Sequence, residues 1–267
     1  MILTRLYPRF RIGHSPSMRP IFFCHIPKTA GTTLRKALEA NFRASEIVPN
    51  RNAIHANGGL YPPVEHVYNM VINRRDEVKL LLGHYHYSFH KAINEPIKII
   101  IFRNPFARSI SLLKHRIARG GISKERIMNF LDRGKFPGPD NHMTRFIVGS
   151  LNLDDPSTLD EQHSRLMKRP LTDHDTVIRE AEAVLKTVDL LGVTERFEEL
   201  REPLAMCGIT LPDRKLNQAE VDDLVLSDRQ IDTIRSHNII DEKIYQRVLS
   251  LIESRTDSNI LKSNYMY

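Results

Sequence analysis

With 267 residues, 41% of them hydrophobic, the chain can bury one sizeable core and carry a smaller helical appendage. Its two cysteines, Cys24 and Cys207, make no disulfide framework and no zinc spacing, which fits a reducing compartment. A net charge of +7 favours an anionic partner such as a nucleotide, a polyanionic sugar or a membrane surface, while the absence of any Lys/Arg run of five counts against general nucleic-acid binding.

The first twenty residues carry four Arg and no acid, but no continuous apolar segment, so they fail as a secretory signal. Pro8 interrupts an amphipathic transit helix there. The longest apolar run, IKIIIF at 97–102, is far too short to span a bilayer. The expected location is therefore the cytoplasm, with residues 1–19 and 255–267 at the periphery of a single domain.

Residues 21–26 read as a buried strand and 32–43 as a helix with Leu34, Ala37, Leu38 and Phe42 on one face. Residues 50–64, with Asn, Gly and two Pro, read as a long loop. EVKLLLGH at 77–84 ends in a short strand candidate. IKIIIF is a buried strand, apolar on both faces as a covered parallel sheet requires. RNPFARSISLLKHRIARGG then turns into a helix, with Pro105 at its first position and Gly120 and Gly121 as a stop. Helices are expected at 123–133, 140–149, 158–168 and 173–187, a strand at 188–193, and helices at 195–207, 217–224, 227–237 and 241–254. The tail has weak periodicity and is expected to fray. The pattern is α/β: a parallel sheet flanked by helices, with a helix-rich C-terminal half.

Two junctions carry chemistry. In HIPKTAGTTL a strand gives way to a helix through Lys28, Thr29, Ala30, Gly31, Thr32 and Thr33. Free N–H groups at a helix start bind anions, Gly31 allows close approach, Lys28 adds a charge, and the threonines add hydroxyl donors. The order is not that of a Walker loop, since the Lys precedes the Gly. The alternative is a helix capped by Thr32 or Thr33. In FRNPFARSISLL, Arg103 ends a buried strand and Ser111 follows on the next helix, with Arg108 between them. Open α/β sheets bind ligands at the carboxyl ends of their strands, so Arg103 shares a sheet edge with Lys28 and offers a fork to a second phosphate. The alternative is an Arg paired with a carboxylate.

Together these segments resemble the two nucleotide-binding motifs of sulfotransferases that use 3′-phosphoadenosine 5′-phosphosulfate. The likeness is nearest to the uronyl and heparan sulfate 2-O-sulfotransferases and their bacterial relatives. LLLGHYHYSFH, DNHMTRFIVG, LLGVTERFEEL and HNIIDEKIYQRVL resemble later family elements in the same order, so the likeness runs from about residue 20 to about residue 250. The resemblance implies a P-loop-type sheet and a sulfuryl donor as co-substrate. It implies that Lys28 contacts the oxygen bridging sulfate and 5′-phosphate, that Thr29 to Thr33 bind the 5′-phosphate, and that Arg103 and Ser111 hold the 3′-phosphate. His84 matches the catalytic His of a Gly-His element. Where the eukaryotic enzymes carry a further His before that Gly, this chain has Leu82, so that role is missing or falls to His86 or His90.

Sulfuryl transfer to an alcohol needs a base for the hydroxyl proton and a cation for the leaving phosphate. A His, with an ordinary pKa of ~6.5, suits the first and Lys28 the second. His84, His86 and His90 compete as base, and a continuing strand would put His84 and His86 on one face. His86, His90 and Arg145 are also candidates to touch the acceptor, Arg145 equally a solvated helix residue. His25 reads as buried and structural. The sequence shows neither a Walker-B Asp nor a metal-ligand cluster, so no metal is expected. The expected activity is O-sulfation of a carbohydrate or glycolipid. The alternatives are a P-loop kinase of a small metabolite and a nucleotide- or polyanion-binding module without turnover.

Overall fold

The computed structural model describes residues 19–211 and 224–264. Five strands, β1 (Ile21–Cys24), β2 (Ile47–Val48), β3 (Leu80–Gly83), β4 (Ile97–Phe102) and β5 (Leu190–Val193), form one sheet in the order β2-β3-β1-β4-β5. Every neighbouring pair is parallel. Parallel neighbours need crossover connections, and helices supply them.

The strands are apolar throughout because both faces are covered. Alternate residues point to opposite layers. Phe22, Leu81, Ile100, Phe102 and Leu191 face one core with residues of α3 (Val64–Ile72), α8 (His174–Leu185) and α11 (Ile239–Asn264). Ile21, Phe23, Leu82, Ile99 and Ile101 face the other, with Leu34 and Leu38 of α1 (Gly31–Ala40) and Leu204 of α9 (Arg201–Met206). A third, smaller cluster joins α4 (Pro105–Ala118), α5 (Lys124–Asp132) and α10 (Asp228–Ser236) through Leu113, Ile127, Leu131 and Ile234. Among the described residues the remaining α-helices are α2 (Arg51–Ala56), α6 (His142–Arg145) and α7 (Leu159–Lys168). Both cysteines are free and buried.

Several expectations need correcting. The predicted loop at 50–64 contains α2, whose start is capped by the Asn50 side chain accepting from the Ala53 N–H at 3.0 Å. The helix expected at 140–149 is a single turn between left-handed Asn141 and Gly149 at φ +88°. The helix expected at 195–207 breaks at Arg196 into a 3-10 segment, Thr194–Leu200, followed by α9. α11 does not stop at 254 but runs to Asn264. Most of the helix expected at 217–224 lies outside the described residues. β3 ends at Gly83, so no strand carries His84 and His86 on a common face.

Candidate active site

The carboxyl ends of β3, β1 and β4 lie side by side and deliver three segments to one edge of the sheet. The central one is the turn from β1 into α1. Lys28 and Ala30 both take left-handed conformations, at φ +72° and +59°. Such conformations are costly for residues with a Cβ and gather at functional turns, where successive N–H groups converge on a concavity. Ala30 is the N-cap of α1 and supplies no side-chain cap; the first turn holds no acid either. Neither Thr32 nor Thr33 caps the helix, so the capping alternative fails. An Ala at this position leaves the helix start about 1 kcal/mol less stable than a capped one, and an anion bound to the open N–H groups offsets that loss.

The threonines do not all act alike. Thr29 is fully buried and its hydroxyl donates to the Ile26 carbonyl at 2.9 Å, so it braces the turn and offers no hydroxyl to a ligand. Thr32 is half-buried at the helix start. Gly31 has a reason the sequence did not disclose: a Cβ there would fall 2.0 Å from Cδ2 of His25. The glycine makes room for a buried imidazole that stacks on Phe23.

β4 delivers Arg103. Its guanidinium donates to the Lys28 carbonyl at 3.2 Å, and its Nε is buried without a hydrogen-bond partner. Burial, then Arg103 and Arg119, push the Lys28 pKa down. Three cations thus crowd the same turn, an arrangement that an anion stabilises. The Asn104 side chain caps α4 by accepting from the Ala107 N–H at 3.0 Å, with Pro105 next in line. Ser111 lies half-buried further along that helix. His115, one turn beyond Ser111, is within electrostatic reach of Lys28 and Arg119. The open helix start, the orphaned Arg103 Nε and the crowded cations fit an anionic ligand such as a phosphate group.

β3 delivers His84. Gly83 sits at φ +156°, and a Cβ there would meet the Tyr85 ring at 2.3 Å, so only glycine makes this turn. The His84 Nδ1–H donates to the His25 carbonyl at 2.6 Å. That bond places the lone pair on Nε2. The ring packs against His25 at 4.5 Å and Tyr61 at 4.7 Å. Burial lowers the His84 pKa to about 4, the bond to His25 opposing the shift and Arg35 and His163 adding to it. His84 is therefore neutral at neutral pH, the form a base requires.

Three other candidates are placed elsewhere. His86 is fully buried, with Nδ1 against the Ser88 hydroxyl and Nε2 against the Val148 carbonyl, both at 2.9 Å; it is a core residue. His90 donates to the Tyr87 carbonyl at 2.8 Å, packs on Phe22 and is in the field of Lys98 and Asp189, near the opposite end of the sheet. Arg145, only 4% exposed, donates from one terminal nitrogen to both oxygens of the Asp140 carboxylate at 2.8 and 2.9 Å, and its other two nitrogens bond the Asp140 and Arg169 carbonyls. It is a brace, neither an acceptor contact nor a solvated residue. Leu82 packs in the α1-side core, and neither His86 nor His90 replaces the histidine absent there. His25 is buried, as expected.

Tyr61, which lies in the segment predicted as a loop, carries no sequence signal for a site. Its hydroxyl sits 3.2 Å from His25 Nδ1 and hydrogen-bonds Arg35, which pairs with Glu39 at 3.3 Å. His163 is likewise unmarked in the sequence; α7 brings it within electrostatic reach of His84. Among the described residues, no three His, Cys, Asp or Glu side chains are grouped to hold a metal ion.

A model of the sulfotransferase family matches residues 16–199, which span all five strands, the turn at Lys28, His84 and Arg103. No curated protein matches the chain significantly.

Proposed function

The chain belongs to the sulfotransferase family, and from that premise we propose that it moves a sulfuryl group from 3′-phosphoadenosine 5′-phosphosulfate to a hydroxyl of a carbohydrate or glycolipid. The observation that carries the donor assignment is the Arg103 guanidinium lying on the Lys28 carbonyl, its Nε unpartnered, beside an uncapped helix start. In this reading the N–H groups of Gly31 and Thr32 and the Lys28 ammonium hold the 5′ group, and Arg103 with Ser111 holds the 3′-phosphate. The donor, when bound, supplies the activated sulfuryl group. His84 Nε2 takes the proton of the acceptor hydroxyl. Its ring is fixed for this by the His25 carbonyl, which begins the same turn. Lys28 holds the charge that builds on the leaving phosphate.

The acceptor is read from charge: the net charge of +7 steers an anionic acceptor toward the protein. The helices of the described residues include none long and apolar enough to cross a membrane; a glycolipid or exopolysaccharide intermediate reached from one side of a membrane fits that. The test is sulfate transfer from labelled donor to uronic-acid oligosaccharides, neutral glycans, glycolipids and phenols side by side. Transfer to an anionic glycan, weakening as salt is raised, is expected; transfer to phenols alone would overturn the acceptor assignment.

A further inference from the structure

Arg108, in the second turn of α4, is fully buried. Its Nε and one terminal nitrogen find no hydrogen-bond partner. The other terminal nitrogen lies 3.1 Å from Nδ1 of His142, the first residue of α6. Burying a guanidinium with unpaired donors is costly, so its one directed bond is informative.

A guanidinium only donates. Nδ1 of His142 must therefore accept, and the single proton of the neutral ring sits on Nε2. The ring cannot rearrange easily. The Asp241 carboxylate from α11 accepts from the Met143 and Thr144 N–H groups at 3.0 and 2.8 Å, and the Asn141 side chain accepts in return from Ile240 and Asp241. Phe146 meets the imidazole edge to face at 5.2 Å. The residue as a whole is half-buried.

We propose that His142 is a hydrogen-bond donor to the acceptor substrate, its proton held on Nε2 by the buried Arg108. The proposal rests on the sulfotransferase reading. Burial and the charge of Arg108 keep the ring neutral, and His84, Arg145 and His163 add to that. Those groups, with Asp241 behind the helix, are the titratable and charged groups that bear on it. His84, the proposed base, is among them, so the two rings lie within electrostatic reach of each other. The two histidines are opposite in kind. The His25 carbonyl leaves His84 with a lone pair on Nε2, and Arg108 leaves His142 with a proton on Nε2. A sugar presents hydroxyls that both give and receive hydrogen bonds, and this pair receives one and supplies one.

Two measurements test this. In the long-range nitrogen–proton spectrum of ring-labelled histidines, the signals lost in His142→Gln identify His142; they are expected to show the Nε2–H tautomer, unchanged from pH 7.5 to 6. An Nδ1–H tautomer, or a doubly protonated ring in that range, would overturn the assignment. In kinetics with labelled donor, His142→Ala should lower kcat/KM for the acceptor by roughly tenfold, the size of one hydrogen bond, with nucleotide affinity unchanged. His142→Gln, which keeps an N–H donor, should recover most of that loss. Both variants at wild-type kcat/KM, or an equal loss in both, would overturn the donor role. Should the wild type move no sulfate to any acceptor, the sulfotransferase reading falls and the donor role with it, while the tautomer result stands by itself.

Discussion

The role of base proposed for His84 rests on its neighbours more than on its own chemistry. One ring nitrogen is occupied by a carbonyl, the other is left open, and burial lowers its pKa to about 4. The acid limb of kcat/KM should therefore lie near that value, with activity steady from neutral pH down to about pH 5. An acid limb near 6.5 would mean that a different, solvated histidine is the base. Lys28→Ala and His84→Ala should each lower kcat by at least about 10²-fold, the usual size for a lost base or charge-stabilising group. Nucleotide affinity should survive only in the His84 variant, because its partner is the acceptor; equal losses of affinity in both would contradict the division of roles. At this scale the sequence was legible where a residue type is tied to a turn. Lys28 at a strand-to-helix junction and Arg103 at the end of a buried strand are read from their flanks. His86 and Arg145 were not legible, because Val148 and Arg169 reach them only through packing between distant segments, and His90 was not, because its ring folds back onto the Tyr87 carbonyl of its own 3-10 turn.

The turn into α1 shows how an element is shaped by a residue outside it. Gly31 is glycine because the His25 ring occupies the space of its missing side chain. In Gly31→Ala the ring must move, at a cost of about 1–3 kcal/mol, and the stabilisation by nucleotide should shrink with the displaced turn. Adding His25→Ala should return part of the lost stability, a coupling that denaturant unfolding of both single variants and the double would read out. Purely additive losses would mean that the two residues do not meet. Strong apolar runs were legible as elements: β4 has the bounds read from IKIIIF, and α4 starts at Pro105 as its sequence dictates. α2 was hidden because its Asn50 cap sits in loop-like composition. α6 is short because Asn141 and Asp241 lock it to α11 across nearly a hundred residues.

Across the whole molecule, the alternation of strands and helices announces a parallel α/β sheet, but not the order of its strands. That order puts β1 between β3 and β4, and so brings Lys28, His84 and Arg103 to one edge although they are far apart in the chain. The same packing buries neutral histidines. His25 and His142 lie well below the ordinary imidazole range, His84 at about 4 and His86 at about 3, burial being the largest cause in each. The unfolded chain binds protons at these sites near pH 6.5 and the folded chain only at lower pH, so stability present above 6.5 is lost as pH falls toward 4. The melting temperature should drop steadily through that window, and a flat profile would contradict the burial of these rings. The central claim is that this sheet edge recognises a nucleotide by two separate phosphates. Calorimetric titration with adenosine 3′,5′-bisphosphate and with AMP tests it most directly: the bisphosphate should bind at least about tenfold more tightly, as one added charge-assisted contact provides, with the advantage lost in Arg103→Ala. Equal affinity of the wild type for the two nucleotides would contradict it.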